Sequence, residues 1–181
     1  MKSSYDKFPA IGVPLDGDCR AVAGWEAIGA ELCGRAALCR GRGPDEAGPS
    51  RCVICVDIYH GVWEGEVLAA LKAAIRPDAV IETREANKTR DEVRAMLDMG
   101  DDRVFAVMSH RKVEDYFDAV KVEAVKAKIA AAQGVVLVYG VAAAVCCPEC
   151  DIYVYADMAR WEIQQRFRSG RLANWLDDNA G

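Results

Sequence analysis

The sequence predicts an α/β fold of three layers, with a central, mostly parallel sheet covered by helices on both faces. Two observations carry this. Strand-like and helix-like segments alternate along the chain, the pattern that βαβ crossovers produce. The runs CVICVDIY (52–59) and VVLVYG (135–140) are apolar almost throughout, as strands buried on both faces must be.

The elements follow in order. AGWEAIGAEL places Trp25, Ile28 and Leu32 at helical spacing. The turn-rich stretch RGRGPDEAGPS, ending at Ser50, is a loop. After the strand at 52–59, EGEVLAALKAAI sets Val67, Leu71 and Ile75 on one helical stripe. AVIET is a short strand. TRDEVRAMLDMG opens with Thr89 and Glu92 at capping-box spacing and ends at Gly100. RVFAVM (103–108) reads as a strand. The stretch 113–134 is helical, broken once, with Val122, Val125 and Ile129 on one face. VVLVYG and DIYVYAD are strands, and MARWEIQQRFRSG is the last helix.

The chain has 181 residues, 52% of them hydrophobic and 28% charged, which suits a single α/β domain over residues 1–181. A net charge of −5 provides no global basic field, so no nucleic-acid partner is expected. MKSSYDKFPAIG has no apolar signal core, and no apolar run is long enough for a bilayer. These features predict no membrane partner and a cytoplasmic location. With no signal peptide in view, the eight cysteines are expected to be reduced thiols.

In a parallel sheet the ligand crevice lies beyond the carboxyl ends of the strands. The residues placed there are Asp57, Tyr59 and His60; Glu82 and Arg84; Ser109, His110 and Arg111; Gly140; and Asp157. Asp57, Glu82 and Asp157 are candidates for acid–base work or for magnesium. The segment HGVWEGE stands where a phosphate loop would. A working loop reads G-x-x-x-x-G-K-[ST], its backbone N–H groups and lysine holding phosphates. Here Gly65 is retained and the first glycine has slipped from the His60 position to Gly61. Lysine is replaced by Glu66, and the hydroxyl residue by Val67. A like-charge pair at ~4 Å and intermediate dielectric costs roughly 4 kcal/mol, so Glu66 opposes a triphosphate. The bland alternative is a strand-to-helix turn, with Glu66 facing the helix dipole. On the last helix, Arg160, Arg166 and Arg168 could close over a phosphorylated small molecule, since guanidinium groups grip phosphate bidentately. A solvated basic helix face is the alternative.

The order of elements resembles nucleoside kinases of the uridine kinase type, with a degraded phosphate loop. A resemblance covering most of the chain from Tyr5 is carried by YDKFP, AGWEAIGAEL, DIYHGV, DDRVFAVM, DYFDAVK, VVLVYGVAA and, most specifically, ADMARWEIQ. These segments look like the N-terminal, kinase-like region of bacterial proteins of the class I mannose-6-phosphate isomerase type. That resemblance implies the N-terminal part of a longer protein, with a cupin-type isomerase domain following in cis. The domain would bind a sugar phosphate or support the isomerase domain, without cofactor. His60, Gly61 and Gly65 would be the remnant loop, and Asp157, Arg160, Arg166 and Arg168 the late strand and lid. The cupin metal motif has no counterpart here, since the two histidines, His60 and His110, stand apart, so no metal site is expected. Two other functions remain open: an active small-molecule kinase with Arg84 or Lys88 replacing the lysine, and a structural or dimerising module.

CVIC and CPEC are both C-x-x-C pairs. Cys52 and Cys55 sit in a strand at an odd offset, which points them to opposite faces and into core packing. Cys147 and Cys150 flank Pro148 and could form a redox pair or half of a metal site, with a loop that merely tolerates cysteines as the bland alternative. Cys19, Cys33 and Cys39 show no pattern.

Overall fold

The computed structural model describes residues 12, 14, 21–40, 51–97 and 110–178. Its elements are α1 (Trp25–Arg40), β1 (Cys52–Ile58), α2 (Glu64–Ile75), β2 (Ala79–Glu82), α3 (Arg90–Met96), α4 (Ala119–Ala131), β3 (Val135–Val141), β4 (Ile152–Ala156) and α5 (Arg160–Arg168). Short 3-10 turns occupy Thr83–Ala86, Val113–Tyr116 and Ala143–Val145. The expected strand at 103–108, together with Ser109, Cys19 and the loop 41–50, lies outside the described residues.

The four strands form one all-parallel sheet in the order β2-β3-β1-β4. β1 and β3 run side by side from Cys52 against Val135 to Ile58 against Val141. β4 lies on the other side of β1, with Ile54 against Ile152. Every residue of β1 is buried, which explains its unbroken apolar sequence. Its side chains alternate between two cores. Cys52, Ile54, Val56 and Ile58 pack with Leu137 against Leu32 of α1 and Leu71 and Ile75 of α2. Val53 and Cys55 pack with Val136 and Val138 against Val122, Val125 and Ile129 of α4. The sheet therefore has helices on both faces.

Local signals set the boundaries. Thr89 caps α3 in a complete capping box, with its N–H donating to Glu92 Oε2 at 2.7 Å and the Glu92 N–H to Thr89 Oγ1 at 3.4 Å. The helical stretch 113–134 breaks at Phe117, and Asp118 restarts it by accepting from the Lys121 N–H at 2.9 Å. Carboxylates also tie strand starts. Asp78 Oδ2 accepts from the Val135 N–H at 2.7 Å, and Asp151 Oδ2 from the Val53 N–H at 2.8 Å. At Gly140 φ is +155°, and a Cβ there would lie 2.2 Å from Thr83 Oγ1. Only glycine lets β3 pass the turn after β2.

Leu137 is fully buried and Val120 is 80% exposed on α4. Leu137→Ala is expected to lower the unfolding free energy by about 2–5 kcal/mol in urea titrations. Val120→Ala should change it by less than about 0.5 kcal/mol.

Candidate functional site

The sheet topology selects one place for a crevice. After β1 the chain crosses to the face covered by α1 and α2. After β3 it crosses to the opposite face, where Ala143 joins the core under α4. Adjacent strands whose connections diverge in this way leave a gap beyond their carboxyl ends.

The five-residue connection Tyr59–Trp63 runs along this gap and is tied down from several sides. The Tyr59 N–H donates to Ala156 O at 2.9 Å, and the Val62 N–H to Tyr59 O at 3.2 Å. Arg166, buried on α5, donates through Nη1 to Gly61 O at 2.5 Å. Its guanidinium lies 4.2 Å from the Trp63 ring centroid, and its Nε donates to Glu162 Oε1 at 3.2 Å. Gly61 has φ +114°, and a Cβ there would stand 3.0 Å from Ile163 of α5. Both the backbone angle and the close helix require glycine. His60 Nε2 is 2.9 Å from Ala173 O. A carbonyl only accepts, so Nε2 is the donor in this bond.

Two cavities flank this connection. The first, about 350 Å³, occupies the diverging gap and is lined by Asp57, Tyr59, His60, Ala142, Tyr155 and Trp175 among others. Asp57 is only 8% exposed. Its Oδ2 accepts from the Ala144 N–H and the Tyr153 hydroxyl, each at 3.3 Å. Desolvation, followed by Asp57, raises the Tyr153 hydroxyl above its usual range. Tyr155 is raised by desolvation and by Asp157 and Asp57. Trp175 is fixed by Tyr116 and Phe117, with ring centroids 5.4 and 5.9 Å away. Ala142 holds a left-handed conformation, φ +54°, a strained geometry for alanine that clusters at functional sites.

The second cavity, about 400 Å³, lies on the other side, under α1 and α2. Its walls are mainly apolar, with Trp25, Ile28, Val67 and Met158. Glu66, Asp157 and Arg166 are its charged groups. Nearby, partial burial raises the Glu64 carboxyl, with His60 opposing the shift.

These positions correct part of the sequence reading. Asp57 and His60 meet in the first cavity, and Asp157 and Arg166 in the second. Gly65 is not a loop residue. It is the second residue of α2, in open surroundings. The connection ends at Trp63, too early for phosphate-loop spacing. Arg160 and Arg168 are exposed and line neither cavity. Arg168 lies 5.8 Å from the ring of Trp161 instead. Glu82 pairs with Arg84 at 2.8 Å. It ends β2, two strands from Asp57, a separation of about 9–10 Å across the sheet, so the two candidates do not act as a carboxylate pair. Lys88 donates to Asp115 O at 2.6 Å, so both cations suggested as lysine substitutes are engaged. Among the other crevice candidates, His110 is exposed and Arg111 Nε donates to Met96 O at 3.0 Å. Sequence reasoning missed Tyr153, Tyr155, Ala142 and Trp175. For the tyrosines a signal existed, since the two-residue spacing in DIYVYAD puts both on one sheet face.

Arg166→Ala removes a buried charged donor and a cation–π contact. It should destabilise the protein by about 2 kcal/mol or more in urea unfolding. Arg166→Lys keeps the charge without the planar fork and should recover less than half of that loss.

A family model described as "Domain of unknown function (DUF8485)" matches residues 24–181. No curated protein and no solved structure matches the chain. No described helix is long and apolar enough to cross a membrane.

Proposed function

The chain belongs to the DUF8485 family, and we propose that this domain is a small-molecule receptor whose site is the gap beyond β1 and β3. The observation that carries this reading is the buried Asp57 carboxylate. Its Oδ2 is held by Ala144 and Tyr153, and Asp57 lines a cavity together with His60, Tyr155 and Trp175. A carboxylate oxygen beside aromatic rings favours a planar ligand that donates hydrogen bonds, uncharged or cationic. The volume falls within the usual range for small-molecule sites. Phosphotransfer is disfavoured. The start of α2 carries Glu64 and Glu66, and the connecting loop lacks a lysine.

A second reading keeps the sugar phosphate and a supporting role beside a cupin-type isomerase domain, as the resemblance implies. The parallel sheet with the loop-bearing strand in its interior, and Arg166 at the second cavity, favour it. In that site Arg166 would exchange the Gly61 carbonyl for phosphate, beside the carboxylates of Glu66 and Asp157.

The two readings separate in a titration followed by tryptophan fluorescence and melting temperature. The probes are adenosine, tyramine, mannose 6-phosphate, inorganic phosphate and ATP with magnesium. Binding to the native state raises the melting temperature by mass action. Adenosine or tyramine is expected to bind, with the affinity falling about tenfold or more in Asp57→Asn. Binding of phosphorylated probes only, unaffected by Asp57→Asn and weakened by Arg166→Lys, would replace this reading with the second. Binding of none of the probes would overturn the assignment of the Asp57 cavity as a site for this ligand class.

A further inference from the structure

Cys55, Cys147 and Cys150 come together beside β1 and line neither cavity. Cys55 and Cys147 are fully buried within the core under α4, and Cys150 is half-buried against it. The chain between β3 and β4 folds back onto β1, where the Asp151 N–H donates to Val53 O at 3.0 Å and Asp151 Oδ2 accepts from the Val53 N–H. That return brings the two sequence pairs into contact through one member of CVIC only. Cys52 belongs to the opposite core.

Cys55 is the shared partner of the other two sulfurs. The Cys55 side chain hydrogen-bonds Cys147 and also meets Cys150, whose thiol is held above its usual value by desolvation. As a thiol, Cys147 donates to Glu149 O at 3.5 Å; as a thiolate it accepts from Cys55. Arg51 stands nearby, its Nη2 donating to Ile129 O at 2.7 Å, while its Nε is buried without a hydrogen-bond partner. The Cys55 donor and then the Arg51 charge favour the Cys147 thiolate and hold its pKa below the usual value, against desolvation. Cys55 is correspondingly raised, first by its bond to Cys147. Among the described residues no group of three or more His, Cys, Asp or Glu side chains is arranged to hold a metal ion.

We propose that Cys147 and Cys150 form a thiol–disulfide exchange site for low-molecular-weight disulfides, with Cys55 as the positioning thiol. The half-buried Cys150, as its thiolate, attacks one sulfur of a disulfide RSSR. The reagent's S–S bond breaks, and the departing RS⁻ takes up the proton that Cys150 lost. The Cys147 thiolate then attacks the Cys150 sulfur of this mixed disulfide. A second RS⁻ leaves and takes up the proton that Cys147 lost. Two protein thiols are oxidised and one RSSR is reduced to two RSH. The turn Ala143–Val145 lies between this pair and Asp57, so the exchange site borders the group that holds the crevice carboxylate.

The test uses the full chain equilibrated with oxidised and reduced glutathione at neutral pH, quenched in acid, alkylated and mapped by peptide mass. The expected product is a Cys147–Cys150 disulfide that reduced glutathione reverses. Cys147→Ser should trap glutathione on Cys150, and Cys150→Ser should leave Cys147 free. Cys55→Ala should lengthen the lifetime of the mixed disulfide without changing the far-UV spectrum. Exposed Cys33 should form the mixed disulfide alone. Cys146, its thiol pushed up to about 11 by burial, should stay unmodified. Recovery of Cys147 and Cys150 as free thiols in oxidised glutathione would overturn the proposal. So would a Cys147→Ser chain that carries no adduct on Cys150.

Discussion

The hold of Arg166 on the β1–α2 connection is the constraint on which the carboxyl end of the sheet depends. One buried guanidinium donates to the Gly61 carbonyl, lies over the Trp63 ring and is oriented by Glu162. A buried cation carries a large desolvation penalty and persists where its hydrogen bonds are made. Here those bonds end on the backbone of the loop. α5 is thereby tied to the β1–α2 connection, and the close approach of Ile163 accounts for glycine at position 61. With Gly61 fixed, His60 turns to one side and Trp63 to the other, and the two cavities are divided.

This constraint also changes what the arginine can do. A guanidinium already bound to a carbonyl, a carboxylate and a ring is a strut, and recruiting it to a phosphate would break those contacts. The electrostatics run the same way. Glu64 and Glu66 occupy the first turn of α2, where they complement the helix dipole and repel the anions that such a terminus otherwise attracts. Across the sheet, the Asp57 carboxylate lies at the point where the β1 and β3 connections diverge. A parallel sheet offers its ligand crevice there, and the polar character of this one is set by a hydrogen-bond acceptor.

Much of the fold was legible in the sequence because burial on two faces leaves a direct trace. The β1 and β3 runs are apolar without alternation, and the helix faces of Val122, Val125 and Ile129 and of Leu71 and Ile75 read at their true spacing. The Thr89 box and the break before α4 were legible because capping is local. The site was only partly legible. Asp57 and His60 follow from strand-end position alone. Trp175 reaches the crevice through tertiary packing on Tyr116 and Phe117, and no local pattern marks that. Gly65 lies in α2, where the helical segment beginning at Glu64 puts it, and the motif count that drew it into a phosphate loop ignored that start. For the cysteines, strand alternation parted Cys52 from Cys55 as the structure does, in opposite cores, whereas no local pattern marks that the fold brings Cys55 to Cys147 and Cys150.

The most direct test of the central claim, that this end of the sheet receives a hydrogen-bond donor at Asp57 and not a phosphate at the α2 terminus, is backbone amide mapping by NMR. Adenosine and inorganic phosphate would be titrated separately into the labelled chain. The account predicts that adenosine shifts the amides of Asp57 to His60 and Ala142 to Ala144, and that phosphate leaves Glu64 to Glu66 unmoved. Saturable phosphate shifts at Glu64, Gly65 and Glu66, with the Asp57 strand end silent to adenosine, would contradict it.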